Sequence, residues 1–416
     1  MKMSKRKRVL MLLENASFPF DDRVRHEAVT LLAGDYQVTV ISPGTKLQPR
    51  HEVQNGIEIY RFPFPPDSKG FLSYLWEYGY SMIVIFLFSL YIFAKDGFDI
   101  VHTAQPPDTF VFVALFYKLF GKLYMLDHHD LAPELYYAHF RGKGSNIIYH
   151  ILIWLEELSF RFADHVISTN ESYKAIALQR GHVEERRITV VRNGPDLKEL
   201  SSSADTKQDL RRGGRIIIGY VGVTGIQDGV DNLIRTIHRL VHDLGRTDVL
   251  CLILGDGGAM PDLKSLATQL DITSYVVFTG WIKNPDEIAE YFKVMDICVA
   301  PEPSDPYNNR STAAKIMEYM AMGKPVVSSD LPEHRFTAEE AAVYATPGDA
   351  QDFANKIIEL INDPARRITM GKVGQARIEA ELAWPRQAKQ LLKAYATLDM
   401  IHKGNKDRPK ITDATI

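Results

Sequence analysis

Cysteine is almost absent from this 416-residue chain: only Cys251 and Cys298 occur, each inside an apolar strand-like run. That excludes a disulfide framework and points to a reduced, cytosolic interior. An excess of one charge is also missing. Lys and Arg number 49 against 52 Asp and Glu, a net charge of −3, which argues against general nucleic-acid binding, since that needs a concentrated basic surface. Long apolar runs are lacking too. The run at residues 9–13, behind the basic cluster Lys2, Lys5, Arg6, Lys7 and Arg8, stops at Glu14 and is too short for a signal peptide. Residues 78–94 fall short of the roughly 20 needed to span a bilayer. A strand-like segment, Phe98-Asp99-Ile100-Val101-His102, follows at once. This run is therefore expected to be a crossover helix with one side exposed or interfacial, offering peripheral contact to a membrane or a hydrophobic acceptor. No Asp-x-Asp motif stands near a strand end, and the spacing of His102, His128 and His129 matches no fixed metal-ligand pattern, so no metal site is expected.

What is present alternates. β-Branched runs at 9–13, 38–41, 57–62, 100–102, 123–127, 165–168 and 188–192 are separated by helical patterns, and the alternation restarts at 216–221, 249–254, 276–279, 297–300 and 325–328. Such a chain predicts an α/β protein with two doubly wound parallel sheets. A polar stretch without periodicity lies between the halves. The expected division is a first domain at 1–197, a linker at 198–213 and a second domain at 214–383. A terminal helix at about 384–402 and a polar tail at 403–416 complete the chain.

The densest motif is Lys315-Ile316-Met317-Glu318-Tyr319-Met320-Ala321-Met322-Gly323-Lys324-Pro325-Val326-Val327, a helix running into a buried strand. In an open α/β sheet ligands sit beyond the carboxyl ends of the strands, where helix starts favour anions, so Lys315 and Glu318 are expected to face a ligand. The stretch resembles the E-A-M-A-x-G-x-P-V-V signature of retaining GT-B glycosyltransferases of family four, here written E-Y-M-A-M-G-K-P-V-V. Arg192-Asn193-Gly194-Pro195-Asp196 resembles that family's interdomain hinge, Gly255-Asp256-Gly257 its G-D-G turn, and Phe278-Thr279-Gly280 the segment beside the nucleotide base. Any one of these is weak; in this order and spacing they are strong.

The resemblance implies a GT-B fold, with two Rossmann-like domains facing a cleft and the terminal helix crossing back to the first. It implies a nucleotide-diphosphate sugar as substrate, no cofactor, and a lipid-linked or saccharide acceptor, as in bacterial envelope or exopolysaccharide synthesis. Glu318 would hold the donor ribose. His129, followed by Asp130, would meet the donor sugar, because paired histidines and acids at a strand's carboxyl end are costly to bury in a core. Gly222, Thr224, Gly225, Gly255, Phe278 and Gly280 would contact the donor. Arg23, Arg25 and His102 are acceptor-side candidates, with a surface salt bridge as the alternative for the arginines.

The chain departs from the family in three places. The loop after the first strand has no glycine and instead carries Asp22-Arg23-Val24-Arg25-His26-Glu27-Ala28. Asp228 stands where relatives place a phosphate-binding lysine, and Arg310 occupies the place of the first acid of the E-x7-E pair. A diphosphate still needs cations, so Arg310 and Lys315 are expected to supply them. Two other readings remain open: a GT-B epimerase, and a relative that binds a nucleotide sugar without catalysis.

Overall fold

A computed structural model describes residues 6–64, 71–140, 142–199, 207–211 and 213–406. The expectations for Lys2 and Lys5, for half of the 198–213 linker and for the end of the 403–416 tail fall outside these residues. Contacts divide the chain into two units: Met1–Leu135, Gly144–Arg192 and Gln387–Ile416 in the first, Tyr136–Lys143 and Asn193–Arg386 in the second.

The first unit is built on β1 (Arg8–Leu12), β2 (Gln37–Gly44), β3 (His51–Gln54), β4 (Ile57–Pro63), β5 (Ile100–Gln105), β6 (Leu123–His128), β7 (His165–Ser168) and β8 (Ile188–Val190). The sheet order is β3-β4-β2-β1-β5-β6-β7-β8. Every pairing is parallel except β3 with β4. That edge hairpin corrects the all-parallel expectation. Its turn is Asn55-Gly56, with φ of 52° and 86°, the left-handed pair that a two-residue hairpin requires. The Asn-Gly pair was its sequence signal.

The second unit holds β9 (Ile216–Val221), β10 (Val249–Leu254), β11 (Val276–Gly280), β12 (Ile297–Ala300), β13 (Val326–Ser329) and β14 (Ala342–Ala345), ordered β11-β10-β9-β12-β13-β14. β10, β12 and β13 are buried throughout, because helices cover both faces of a parallel sheet and leave no polar side to alternate with. Strand order reverses between β1 and β5 in one unit and between β9 and β12 in the other. Ligands in such sheets bind beyond the strand ends at the reversal.

Three boundaries differ from expectation. The contact boundary falls between Arg192 and Asn193, ahead of residue 197. Residues 207–211 carry a helical turn, Gln208–Arg211, pinned to the second unit by Lys207–Glu287 and Arg211–Asp296 ion pairs of 2.9 Å each. The helix Trp384–Lys406 begins where Trp384 N–H donates to the Pro195 carbonyl at 3.0 Å, and from Gln387 onward it groups with the first unit. There it buries Leu391, Ala394, Tyr395 and Leu398, the spacing of one helical face. Gly194 is demanded locally, since a Cβ there would lie 1.8 Å from the Leu382 carbonyl oxygen.

The apolar segment 78–94 lies in the helix Phe71–Lys95. Among the described residues no helix is long and apolar enough to cross a membrane.

Candidate functional site

In the second unit β9 and β10 end in loops that touch backbone to backbone. A Cβ on Gly255 would lie 1.9 Å from the Gly222 carbonyl oxygen, and both glycines sit at positive φ, 134° and 145°. Only glycine fits such an approach. Thr224 N–H donates to the Asp256 carbonyl at 3.1 Å, and Gly255 N–H to the Gly280 carbonyl at 3.1 Å. Gly222, Thr224, Gly225, Gly255 and Gly280 are thus gathered at the carboxyl edge of the sheet. Thr224 is fully buried, and its hydroxyl has no hydrogen-bond partner. Phe278 packs against the core on the β11 side.

The helix Ala314–Ala321 buries Ile316, Met317, Tyr319 and Met320. The Tyr319 hydroxyl accepts the Val221 N–H at 2.9 Å, which locks this helix to β9. Lys315 and Glu318, three residues apart, then share a helix side. Lys315 does not reach into open space as expected. Its ammonium lies 2.6 Å from Glu302 and 3.2 Å from Asp228, and donates to the Tyr220 hydroxyl at 3.0 Å. Three partners match the three donors of an ammonium. Burial would lower the Lys315 pKa, but the charges around it, Glu302 foremost, hold it well above the ordinary lysine value. Burial also raises the Asp228 carboxyl against the pull of Lys315. At Glu302 burial is outweighed by Lys315, and the carboxyl is held low.

Asp228, behind β9, is thus met by a lysine that arrives from another helix. This cluster sits at the β9–β12 reversal. Arg310 donates within its own loop, to the Pro306 carbonyl at 2.7 Å. That loop is fastened by Asn308, whose amide donates to the Gln227 carbonyl at 2.9 Å. Glu302 was missed from sequence; its signal was a charged residue directly behind β12 in Pro301-Glu302-Pro303.

In the first unit Arg23 and His102 are placed otherwise than expected, while Arg25 takes the surface salt bridge given as its alternative. Arg23 is buried, not on the surface: it grips Asp127 through Nε at 2.8 Å and Nη2 at 2.5 Å, and donates to the Val191 carbonyl at 3.0 Å. Arg25 pairs with Asp22 at 2.7 Å on the exposed side of the helix Asp22–Ala33. His102 is buried, hydrogen-bonded through Nδ1 to Tyr395 at 2.6 Å, and lies 3.3 Å from Glu27. His128 is not at a rim either; it is fully buried against Glu156 at 3.1 Å. Sequence periodicity cannot distinguish a side chain at a strand's end from one turned beneath it.

His129 is partly buried, and its Nδ1 lies 3.0 Å from Asp127 Oδ2; Asp130 beside it is also partly buried. The three histidines thus serve three different partners. Ligand-type atoms of Glu27, His102 and Asp127 do lie within 4.8 Å of one another. Arg23 fills that position, pairing with Glu27 at 3.3 Å as well as with Asp127.

The family described as "Glycosyl transferase 4-like domain" matches residues 21–194, and "Glycosyl transferases group 1" matches residues 215–363. The chain is 26% identical over 300 residues to alpha-maltose-1-phosphate synthase of Mycolicibacterium smegmatis, covering 67% of this chain and 73% of that protein. It is 22% identical over 293 residues to the UDP-Gal:alpha-D-GlcNAc-diphosphoundecaprenol alpha-1,3-galactosyltransferase of Escherichia coli, covering 68% and 71%. The solved sucrose-phosphate synthase of Thermosynechococcus elongatus shares the fold, with a TM-score of 0.78, 21% identity, and coverage of 95% of this chain and all of that one. The two family matches, one to each half, together take in well over half of the sequence, and with the paired parallel sheets they establish that the chain belongs to the GT-B glycosyltransferases of family four.

Proposed function

We propose that this glycosyltransferase moves a hexose, with retention of configuration, from a nucleoside-diphosphate sugar to a lipid-linked or polysaccharide acceptor of the bacterial envelope. It would work in the cytoplasm, at the inner face of the membrane, with no metal or cofactor. The observation that carries the donor half is the glycine-lined strand edge at Gly222 and Gly255 next to the helix of Glu318, since glycine leaves room for a ligand close to the backbone at a strand's carboxyl end and a carboxylate suits ribose hydroxyls. Retention rests on the E-Y-M-A-M-G-K-P-V-V resemblance. In front-face attack the bond from the anomeric carbon to the leaving phosphate oxygen breaks as the acceptor oxygen bonds to the same face, and that phosphate oxygen takes the acceptor's proton. Positioning and charge stabilisation are then the protein's contribution.

The test is turnover of a donor panel with a lipid-linked acceptor in the presence of EDTA, reading the product's anomeric configuration by NMR. A product with the donor's configuration is expected. An inverted product, a requirement for magnesium, or donor turnover without any acceptor would overturn the corresponding part of the reading.

The lipid half of the proposal is supported by the helix Phe71–Lys95. Ile83, Leu87 and Tyr91 follow one another at four-residue spacing, exposed by 63%, 58% and 56%. Burying a large apolar side chain contributes about 1.5–3 kcal/mol, so three of them suffice for reversible docking. Flotation with anionic vesicles is expected to carry the protein up, alkaline carbonate to release it, and Ile83→Glu with Leu87→Glu to abolish flotation. Retention through carbonate would mean a true span, and unaltered flotation of the double variant would mean a different contact surface.

A further inference from the structure

We infer that Asp127, clamped by Arg23, is the positioning residue for His129: it fixes which imidazole nitrogen is turned inward, so that Nε2 is the nitrogen offered to substrate. The inference rests on the reading that His129 meets the donor sugar. It gives Asp127 a role that neither the family resemblance nor the comparisons assign, and turns Arg23 from an acceptor-side candidate into the clamp on that carboxylate.

The geometry is a short relay. β6 ends at His128, so Asp127 points into the unit while His129 follows on the loop beyond the strand. Asp127 is fully buried and accepts two hydrogen bonds from Arg23, at 2.8 and 2.5 Å, and one from His129 Nδ1–H at 3.0 Å. A guanidinium fork on a carboxylate fixes the plane of that carboxylate, and a carboxylate at Nδ1 fixes the orientation of an imidazole. Arg23 is itself held, by Glu27 at 3.3 Å and by the Val191 carbonyl at 3.0 Å. Glu27 in turn faces His102, and His102 faces Tyr395 of the C-terminal helix. The carboxylate therefore has no freedom to rotate away.

The charged groups around His129 are Asp127, Asp130 and Arg23. Burial pushes the imidazole toward neutrality, but the hydrogen bond and charge of Asp127, helped by Asp130, outweigh burial and Arg23 and hold it at about 9. At Asp127 burial is overcome chiefly by the charge of Arg23, and its carboxyl stays far below the usual range. His129 is thus an imidazolium throughout the neutral range. Its second N–H can donate to a sugar hydroxyl or to the leaving diphosphate, which a neutral ring with its proton on Nδ1 cannot do.

The experiment is NMR titration of the His129 ring in the full chain. In the natural protein it is expected to titrate near pH 9, and in Asp127→Asn near the ordinary 6.5 or lower. Asp127→Asn leaves Arg23 with Glu27 as its remaining counter-charge, at 3.3 Å, so Arg23→Gln with Glu27→Gln and Asp127→Asn is the companion variant, which removes all three buried charges and serves if the first does not fold. The limb of kcat/KM that falls with rising pH is expected to move down with the ring, from about 9 toward 6.5, while a variant that merely loosens the fold would lower the plateau and leave the limb in place. His129 titrating near 9 in both variants overturns the inference. His129→Gln with kcat/KM within twofold of the natural protein would sink the functional reading of His129 alone, because the ring's titration still reports on Asp127.

Discussion

Replacing Lys315 with alanine is expected to remove about 3–5 kcal/mol of stability, the range for breaking a buried ion pair by deleting one partner. Glu302 and Asp228 lie 2.6 and 3.2 Å from this ammonium, with side chains only 6% and 16% exposed. Without it two carboxylates face each other in a poorly solvated corner. Urea denaturation checks this as a lower midpoint at unchanged slope. Asp228→Asn with Glu302→Gln in the alanine background is expected to recover most of the loss, since neutral amides need no counter-ion. A Lys315→Ala cost below about 1 kcal/mol, the size of an exposed pair, would mean that the triad is solvated and that Lys315 is free for a phosphate. The expected loss gives the ammonium a structural duty. Any contact with a diphosphate must therefore come by exchanging one of its acids for the ligand.

Glu318→Ala is expected to do the opposite: donor affinity falls by about tenfold to a hundredfold, as for the loss of a charged hydrogen bond contributing about 1.5–3 kcal/mol, while stability hardly changes. Glu318 is only partly buried, and Ile316, Met317, Tyr319 and Met320, the neighbours that hold the helix, keep their packing. Calorimetry with the best donor measures the first effect and thermal unfolding the second. Glu318→Gln is expected to fall between, keeping one acceptor oxygen but losing the charge. Affinity unaltered in both variants would remove Glu318 from the donor site.

The two expectations separate residues that looked alike in sequence. Lys315 and Glu318 are three apart on one helix, and the reading from spacing sent both to the ligand. Spacing reports which side of a helix a residue occupies; it does not report what else arrives there. Glu302 arrives from behind β12 and Asp228 from behind β9, 74 positions earlier in the chain by their numbers, and no local pattern joins them. Arg23 failed for the same reason. The stretch from Asp22 to Ala28, read as a loop, opens the helix Asp22–Ala33, and the partner of Arg23, Asp127, stands 104 residues away. The edge strand β3 was overlooked because its residues are mostly exposed, so apolar periodicity had nothing to register, although Asn55-Gly56 marked the turn.

The sequence by itself determined the fold class, the approximate position of every buried parallel strand except β14, the glycine-bearing loop ends and the family. These depend on local signals: apolar runs that both sheet faces must cover, and turns that only glycine can make. Tertiary structure alone decided the electrostatics. It turned Lys315 toward two acids, sank Arg23 beneath Asp127, set His102 against a tyrosine of the terminal helix, and left His129 beyond the strand end on the carboxylate that Arg23 clamps. Charge pairing acts over a few ångströms between residues tens or hundreds of positions apart, so its outcome appears only once the sheets have brought their strand ends together.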